Sequence, residues 1–299
     1  MTDPAPWESA QPVDAARAAA LVGAQFPELA GAPVRPLANG WDNTVVLVGD
    51  VLFRFPRREN AVELQARELA VLPRVAGRVP LAVPEPSHLG SPARDYPWPF
   101  WGAAMIPGEE LAGTPDDARE PAAEAAGAFL RALHQLPTDD LDLPVDPTGR
   151  GTPALRADRS REALDTLAAR GLRRRSAELD ALVDNRLGAP RAPAVLVHGD
   201  LHLRHLLVDE QHRATGVIDW GDTCLASPAV DLSLAWAAFA GRSRDAMLAA
   251  YGPVDADTEV RGRALAVSLC AMLAVWASST GHDELLREYL LGLDRAVEG

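Results

Sequence analysis

The sequence predicts an α+β chain with a small, β-rich first part and a larger, mainly helical second part. Three observations carry this. Residues 41–56 are two β-branched and aromatic runs around Gly49-Asp50, a hairpin signature. Residues 98–106 are a compact apolar run, suited to a buried strand and ended by Pro107-Gly108. From Glu120 onward, Ala/Leu-rich segments of helical period dominate, with short β-like runs only at 194–198 and 214–218. The Pro-Gly hinge divides the chain into residues 1–106 and 107–299.

Each element follows from its local pattern. Residues 14–26 read as a short amphipathic helix. A second helix runs over 60–72, with Ala61, Leu64, Leu69, Val71 and Leu72 as its apolar side, and Pro73 is expected to stop it. Residues 80–99 are Pro-rich and mixed. A helix over 120–135 ends near Pro137, and the acidic, Pro/Gly-rich stretch 138–153 reads as loop. Helix is expected over 159–187 with a break near Gly171, then over 229–240, 243–251, 258–279 and 283–296.

Composition narrows the function classes. The 299 residues are 47% hydrophobic and 24% charged, an ordinary globular balance. A net charge of −13 argues against nucleic acid as partner, because phosphate binding needs a basic footprint. All 29 basic residues are arginine, so any task commonly given to lysine must fall to a guanidinium. Two cysteines, Cys224 and Cys270, support neither a disulfide framework nor a zinc ribbon. No run approaches 18 consecutive apolar residues, so no membrane span is expected. Residues 1–12 lack the apolar core of a signal peptide, and the expected location is the cytoplasm. Oligomeric state is left open.

The strongest chemical signal is His198-Gly-Asp-Leu-His-Leu-Arg-His205, followed by Ile218-Asp-Trp-Gly-Asp222. Phosphoryl transfer needs two separately placed carboxylates, one to orient the attacking hydroxyl and take its proton, one to hold the metal on the nucleotide phosphates. His198-Gly-Asp200-Leu fits the kinase catalytic loop, and Asp219-Trp-Gly221 fits its metal-binding turn. The 19-residue separation lets two short strands bring Asp200 and Asp219 together. Asp222 reads as a loop residue and His198 as a scaffold for the loop rather than a base.

Together with Pro228-Ala-Val-Asp231-Leu, Leu133-His134-Gln-Leu-Pro137, Gly40-Trp-Asp-Asn43 and Val51-Leu-Phe-Arg-Phe-Pro-Arg57, these blocks resemble the aminoglycoside phosphotransferase family. That family also includes macrolide phosphotransferases and other small-molecule kinases. Order and spacing agree from about residue 35 to 240. The resemblance implies a protein-kinase-like fold of two lobes and an enzyme using ATP and Mg²⁺ on a small-molecule acceptor, an aminoglycoside-like antibiotic or a related amino-sugar or metabolite. Asp200 would be the catalytic base and Asp219 a metal ligand. Asp231 would be a buried carboxylate bonding the catalytic-loop backbone. Gly40, Asn43, Arg54, Glu68 and the backbone at Ala104 to Ile106 would bind nucleotide. Arg54 stands where the kinase strand lysine falls. Glu68 lies on the apolar stripe of its helix, where a carboxylate needs a cation, whereas Glu63 points to the polar side.

His205 departs from the pattern, standing where most relatives have a metal-binding asparagine. Imidazole suits magnesium poorly, so manganese enters as an alternative. Two other functions stay open: a non-catalytic, nucleotide-binding pseudokinase, and a kinase of an endogenous metabolite. Acidic residues such as Asp139, Asp140, Asp142, Glu162 and Asp165 would favour a cationic acceptor if they faced it, and otherwise form a solvated face. Arg173-Arg-Arg175 is expected to be exposed.

Overall fold

The structure is a computed structural model that describes residues 11–184 and 187–298. It divides into two compact units, one running to Ala76 and resuming at Val83–Ile106, the other comprising Gly77–Ala82 and Pro107 onward.

The first unit is an antiparallel sheet with two helices. Helix α1 (Ala15–Gln25) is capped by the Asp14 carboxylate, which accepts from the backbone N–H of Arg17. Strands β1 (Val34–Asn39), β2 (Asn43–Val48) and β3 (Val51–Pro56) follow, then α2 (Glu59–Val75), β4 (Pro86–Gly90) and β5 (Phe100–Ala104). The strand order is β1-β2-β3-β5-β4. Gly49 turns the β2–β3 hairpin at φ 59°, a conformation that costs glycine nothing. Phe53, Phe55, Tyr96 and Phe100 pack as one buried aromatic cluster, with Phe55 stacked on Phe100 at 4.8 Å between centroids.

Two expectations change here. Helix α2 does not stop at Pro73 but runs to Val75. Proline removes only its own N–H, and in the last turn that loss spares the rest of the ladder. The mixed stretch 80–99 contains β4, whose pairing with β5 shifts register between Pro86 and His88.

The second unit is mainly helical. It begins with β6 (Glu109–Glu110) and α3 (Glu120–His134), then α4 (Ala157–Ala169) and α5 (Ala177–Val183). Four short strands follow: β7 (Val195–Val197), β8 (Leu206–Val208), β9 (Ala214–Val217) and β10 (Cys224–Ala226). Helices α6 (Ala229–Leu232), α7 (Leu234–Ala238), α8 (Gly241–Tyr251), α9 (Ala256–Thr280) and α10 (Asp283–Val297) complete it. The strands form two small sheets, β10-β7 and β6-β8-β9. The break expected near Gly171 is present: Gly171 adopts a φ of 69° and helix resumes only behind the Ser176 cap. Asn185 and Arg186 lie outside the described residues. The expected helix at 229–240 is likewise divided at Ser233.

Buried cations tie the helices together. Arg119, fully buried, donates to the carbonyls of Thr114 and Ala238 and pairs with Glu288 at 2.8 Å. Arg261 does the same for the 188–189 backbone and Asp257. Helix α9 is long and apolar enough to cross a membrane by length and composition, but 61% of its apolar window is buried within the protein.

Candidate active site

Strand β7 delivers the chain into the loop 198–205 at Gly199, which has φ 89°; a side chain there would collide with the Asp222 carbonyl. Asp231 holds this loop from beneath. Its carboxylate is fully buried and accepts from the backbone N–H of His198 (2.7 Å) and Gly199 (3.0 Å). It also meets His134 Nε2 at 3.2 Å, and His134 Nδ1 meets the Tyr251 hydroxyl at 3.0 Å. Burial alone would raise the Asp231 pKa, but the His134 hydrogen bond and the surrounding donors bring it below the usual carboxylate range.

His198 links the two acidic segments. Its Nδ1 accepts from the Asp200 N–H at 3.3 Å and its Nε2 reaches the Ile218 carbonyl at 3.0 Å. Those partners fix the neutral Nε2–H tautomer. Burial pushes the imidazole down to about 4 from an ordinary 6.5. His198 is therefore a neutral strut, with no free nitrogen to act as a base.

One stability prediction follows. Between pH 6.5 and 4 the unfolded chain binds a proton at His198 that the folded chain refuses, so stability falls as the pH is lowered through that window. Buried His202 is shifted in the same direction, while the raised Asp200 opposes them. The His198 share is about 2 kcal/mol between pH 7 and pH 5. Urea unfolding at both pH values should show the loss, and His198→Asn should flatten the slope. An unchanged slope in that variant would contradict the assignment.

Asp219 sits at φ 68°, the left-handed region that aspartate enters more readily than most residues and that functional turns often use. Its side chain is 47% exposed, and Oδ2 lies 3.4 Å from His205 Nε2. His205 Nδ1 donates to the Asp200 carbonyl at 2.8 Å, and the His205 carbonyl accepts from the Ile218 N–H at 3.0 Å. Since Nδ1 carries the donated proton, Nε2 holds either a second proton or a lone pair beside the Asp219 carboxylate. Asp200, His202 and His205 also offer ligand atoms within 4.8 Å of one another.

The Asp200 carboxyl is raised to about 6, chiefly by burial, with Arg150 pulling it the other way. Arg150 Nη2 lies 3.2 Å from Asp200 Oδ1 and 3.6 Å from Asp222 Oδ2, and Nη1 donates to the Gly199 carbonyl. Arg150 is positioned by Asp146, whose carboxylate accepts from the N–H groups of Arg150 (2.7 Å) and Gly151 (3.0 Å). Asp146 itself donates its N–H to the Leu225 carbonyl of β10 at 2.8 Å.

In the first unit, Arg54 on β3 and Glu68 on α2 meet at 3.7 Å, Nε to Oε2, with Glu68 only 1% exposed. The Arg54 guanidinium also lies over the Trp101 ring. Glu63 is 79% exposed beside Arg67, so it takes no part. Gly40 and Asn43 close the β1–β2 turn, where the Gly40 N–H donates to the Asn43 carbonyl at 2.9 Å. Ala104 ends β5 opposite Val51, and Ile106 is the last residue of the unit.

Arg150, Arg156 and His202 are site residues with little signal of their own in the sequence. The two arginines lie some 45–50 residues before Asp200 in sequence, around a stretch that reads as loop, and no periodicity marks them. His202 lies inside the quoted motif and is 6% exposed. Its signal was an imidazole flanked by two leucines. The acidic residues Asp139, Asp140, Asp142, Glu162 and Asp165 are all exposed, and Asp165 pairs with Arg175 at 2.6 Å.

The two acidic segments are thus tied together by the neutral His198 strut, with Asp219 on a left-handed turn. The family model described as "phosphotransferase enzyme family" (APH) matches residues 33–265. The chain belongs to that family and is an enzyme of the class that transfers phosphate to hydroxyl groups of small molecules. It is 32% identical over 122 residues to viomycin phosphotransferase of Streptomyces vinaceus, covering 40% of each chain. It is 26% identical over 247 residues to the uncharacterized protein YcbJ of Bacillus subtilis strain 168, covering 71% of this chain and 72% of that one. Among solved structures, the GDP complex of aminoglycoside 2'-phosphotransferase-IIIa matches with a TM-score of 0.68 at 21% identity, over 96% of this chain and 99% of that one. The α+β fold is therefore that of the kinase-like aminoglycoside phosphotransferases.

Proposed function

We propose that the enzyme transfers the γ-phosphate of ATP to a hydroxyl of a small-molecule acceptor, with Asp200 as base. The observation that carries this reading is the His198 strut. It ties the Asp200 N–H to the carbonyl just before Asp219, so the two carboxylates ride on one rigid frame with His205 touching both segments.

In the proposed reaction, Asp200 accepts the acceptor's hydroxyl proton as that oxygen attacks the γ-phosphorus in line. The bond to the β–γ bridging oxygen breaks and ADP leaves. The raised carboxyl suits this role, since a base near the working pH transfers protons best. Arg54, oriented by Glu68, is assigned to the nucleotide phosphates, which a guanidinium grips in forked geometry. Gly40, Asn43 and the backbone at Ala104 and Ile106 are assigned to the same nucleotide. The relatives that act on viomycin and aminoglycosides put antibiotic hydroxyls in the first acceptor panel. ATP dependence fits a cytoplasmic setting.

The donor set at Asp219 and His205 fits a divalent cation. An oxygen and an imidazole nitrogen sit 3.4 Å apart, and in the neutral ring with Nδ1 donating, that nitrogen offers a lone pair. Such a cation would neutralise charge on the phosphates. A nitrogen ligand favours manganese over magnesium relative to an all-oxygen set. Manganese is therefore expected to support turnover at lower concentration than magnesium, and His205→Asn to shift that preference toward magnesium. Metal titrations of ADP release in both proteins check this. A wild type that binds ATP but never turns over, and gains turnover in His205→Asn, would favour the non-catalytic reading.

A further inference from the structure

A cavity of about 30 Å³ opens beside Asp200 in the second unit. Its polar lining is unusual for a protein of net charge −13. Arg150 and Arg156 both reach it, and among the described residues Asp200 is the one carboxylate lining it. None of the exposed acidic residues 139, 140, 142, 162 and 165 does so.

The charges there do not balance. Arg150 is committed to Asp200 and Asp222. Arg156 has no carboxylate within 4 Å among the described residues; its Nη2 donates to the Met272 sulfur at 3.9 Å, a weak acceptor. Burial, Arg150 and Arg159 all push its pKa below the ordinary guanidinium value, so its charged form is underserved as it stands. On the facing helix α9, Ser268 is 3% exposed and its Oγ has no hydrogen-bond partner. A buried hydroxyl without a partner costs free energy unless something supplies one. Arg156, a half-buried guanidinium, and Ser268, whose buried hydroxyl has no partner, line one small cavity, and an oxyanion would serve both.

We infer that this cavity is an acceptor subsite for an oxyanion, a carboxylate or a phosphate monoester, held by Arg156 and Ser268 beside the base Asp200. The inference rests on the phosphotransferase reading and refines its acceptor to a hydroxyl compound bearing an anionic group. A cavity of about 30 Å³ has room for one such group, which would anchor the acceptor by its anion beside Asp200. An acceptor with only ammonium groups would meet two guanidiniums there against the one carboxylate of Asp200.

The test uses full-length protein and matched probes: uronic acids and sugar phosphates, each against its neutral sugar and amino sugar, by thermal shift and by ADP release. The acid or phosphate member of at least one pair should stabilise the wild type over its neutral partner. Arg156→Met should weaken that binding about 10- to 100-fold, as loss of a charge-assisted hydrogen bond does. Arg156→Lys should restore part of it, and Ser268→Ala should weaken it less. Where turnover is seen, the loss should fall on KM for the acceptor rather than on kcat. No acid preference in any pair, or a preference that survives Arg156→Met, would overturn the inference. Turnover confined to neutral or cationic acceptors would overturn it while leaving phosphotransfer standing. Failure of ATP to stabilise any of these proteins would instead count against the phosphotransferase reading itself.

Discussion

Replacing Asp200 with asparagine should lower kcat by about 10²- to 10⁴-fold, the usual contribution of a positioned general base. Asparagine keeps the volume and an acceptor oxygen for Arg150, so the fold and the KM for ATP should change little. The variant also separates base from scaffold through pH. In the wild type the carboxyl is raised to about 6 by burial, so kcat/KM should fall as pH drops below that value and the base becomes protonated. The residual activity of Asp200→Asn should lack that limb. ADP release measured from pH 5 to 8 in both proteins checks the point. An asparagine variant with near-wild-type kcat would remove Asp200 from the chemistry.

Asp231→Ala is expected to be the most damaging change to the fold around the site. The carboxylate is fully buried and satisfies two loop N–H groups as well as His134. Removing it strands those donors and leaves a cavity, a loss of about 3–5 kcal/mol. For a chain of this size that lowers Tm by roughly 10 °C. Asp231→Asn should cost less in stability yet still impair activity, because its amide can accept from only one of the two N–H groups. Thermal melts and urea curves decide this. A loss below about 1 kcal/mol in the alanine variant would show that the loop does not depend on this anchor.

Much of the fold was legible where one local force dominated. The β2–β3 hairpin showed because β-branched residues flank a glycine that alone turns cheaply at φ 59°. Strands β1 and β4 did not show, since each contains a proline and a register shift and draws its stability from neighbours in the sheet. Residues 229–240 read as one helix because their apolar content is continuous, although full burial on every side lets the chain break at Ser233. The acidic residues of the site stood out because they fall in one contiguous stretch with fixed spacing. Glu68 stood out because a carboxylate on an apolar stripe demands a cation, and the structure supplies Arg54. Arg150 and Arg156 were silent. They come from around an irregular loop, and only the turn built on Asp146 and its tie to β10 carries Arg150 to the base.

The most direct test of the central claim is mass spectrometry of candidate acceptors after incubation with the enzyme, ATP and either magnesium or manganese, with ADP counted in parallel. The account predicts an acceptor that gains one phosphoryl group for each ADP formed, a product missing from the Asp200→Asn reaction. ADP formed without any phosphorylated acceptor, or a phosphorylated acceptor made equally well by Asp200→Asn, would contradict it.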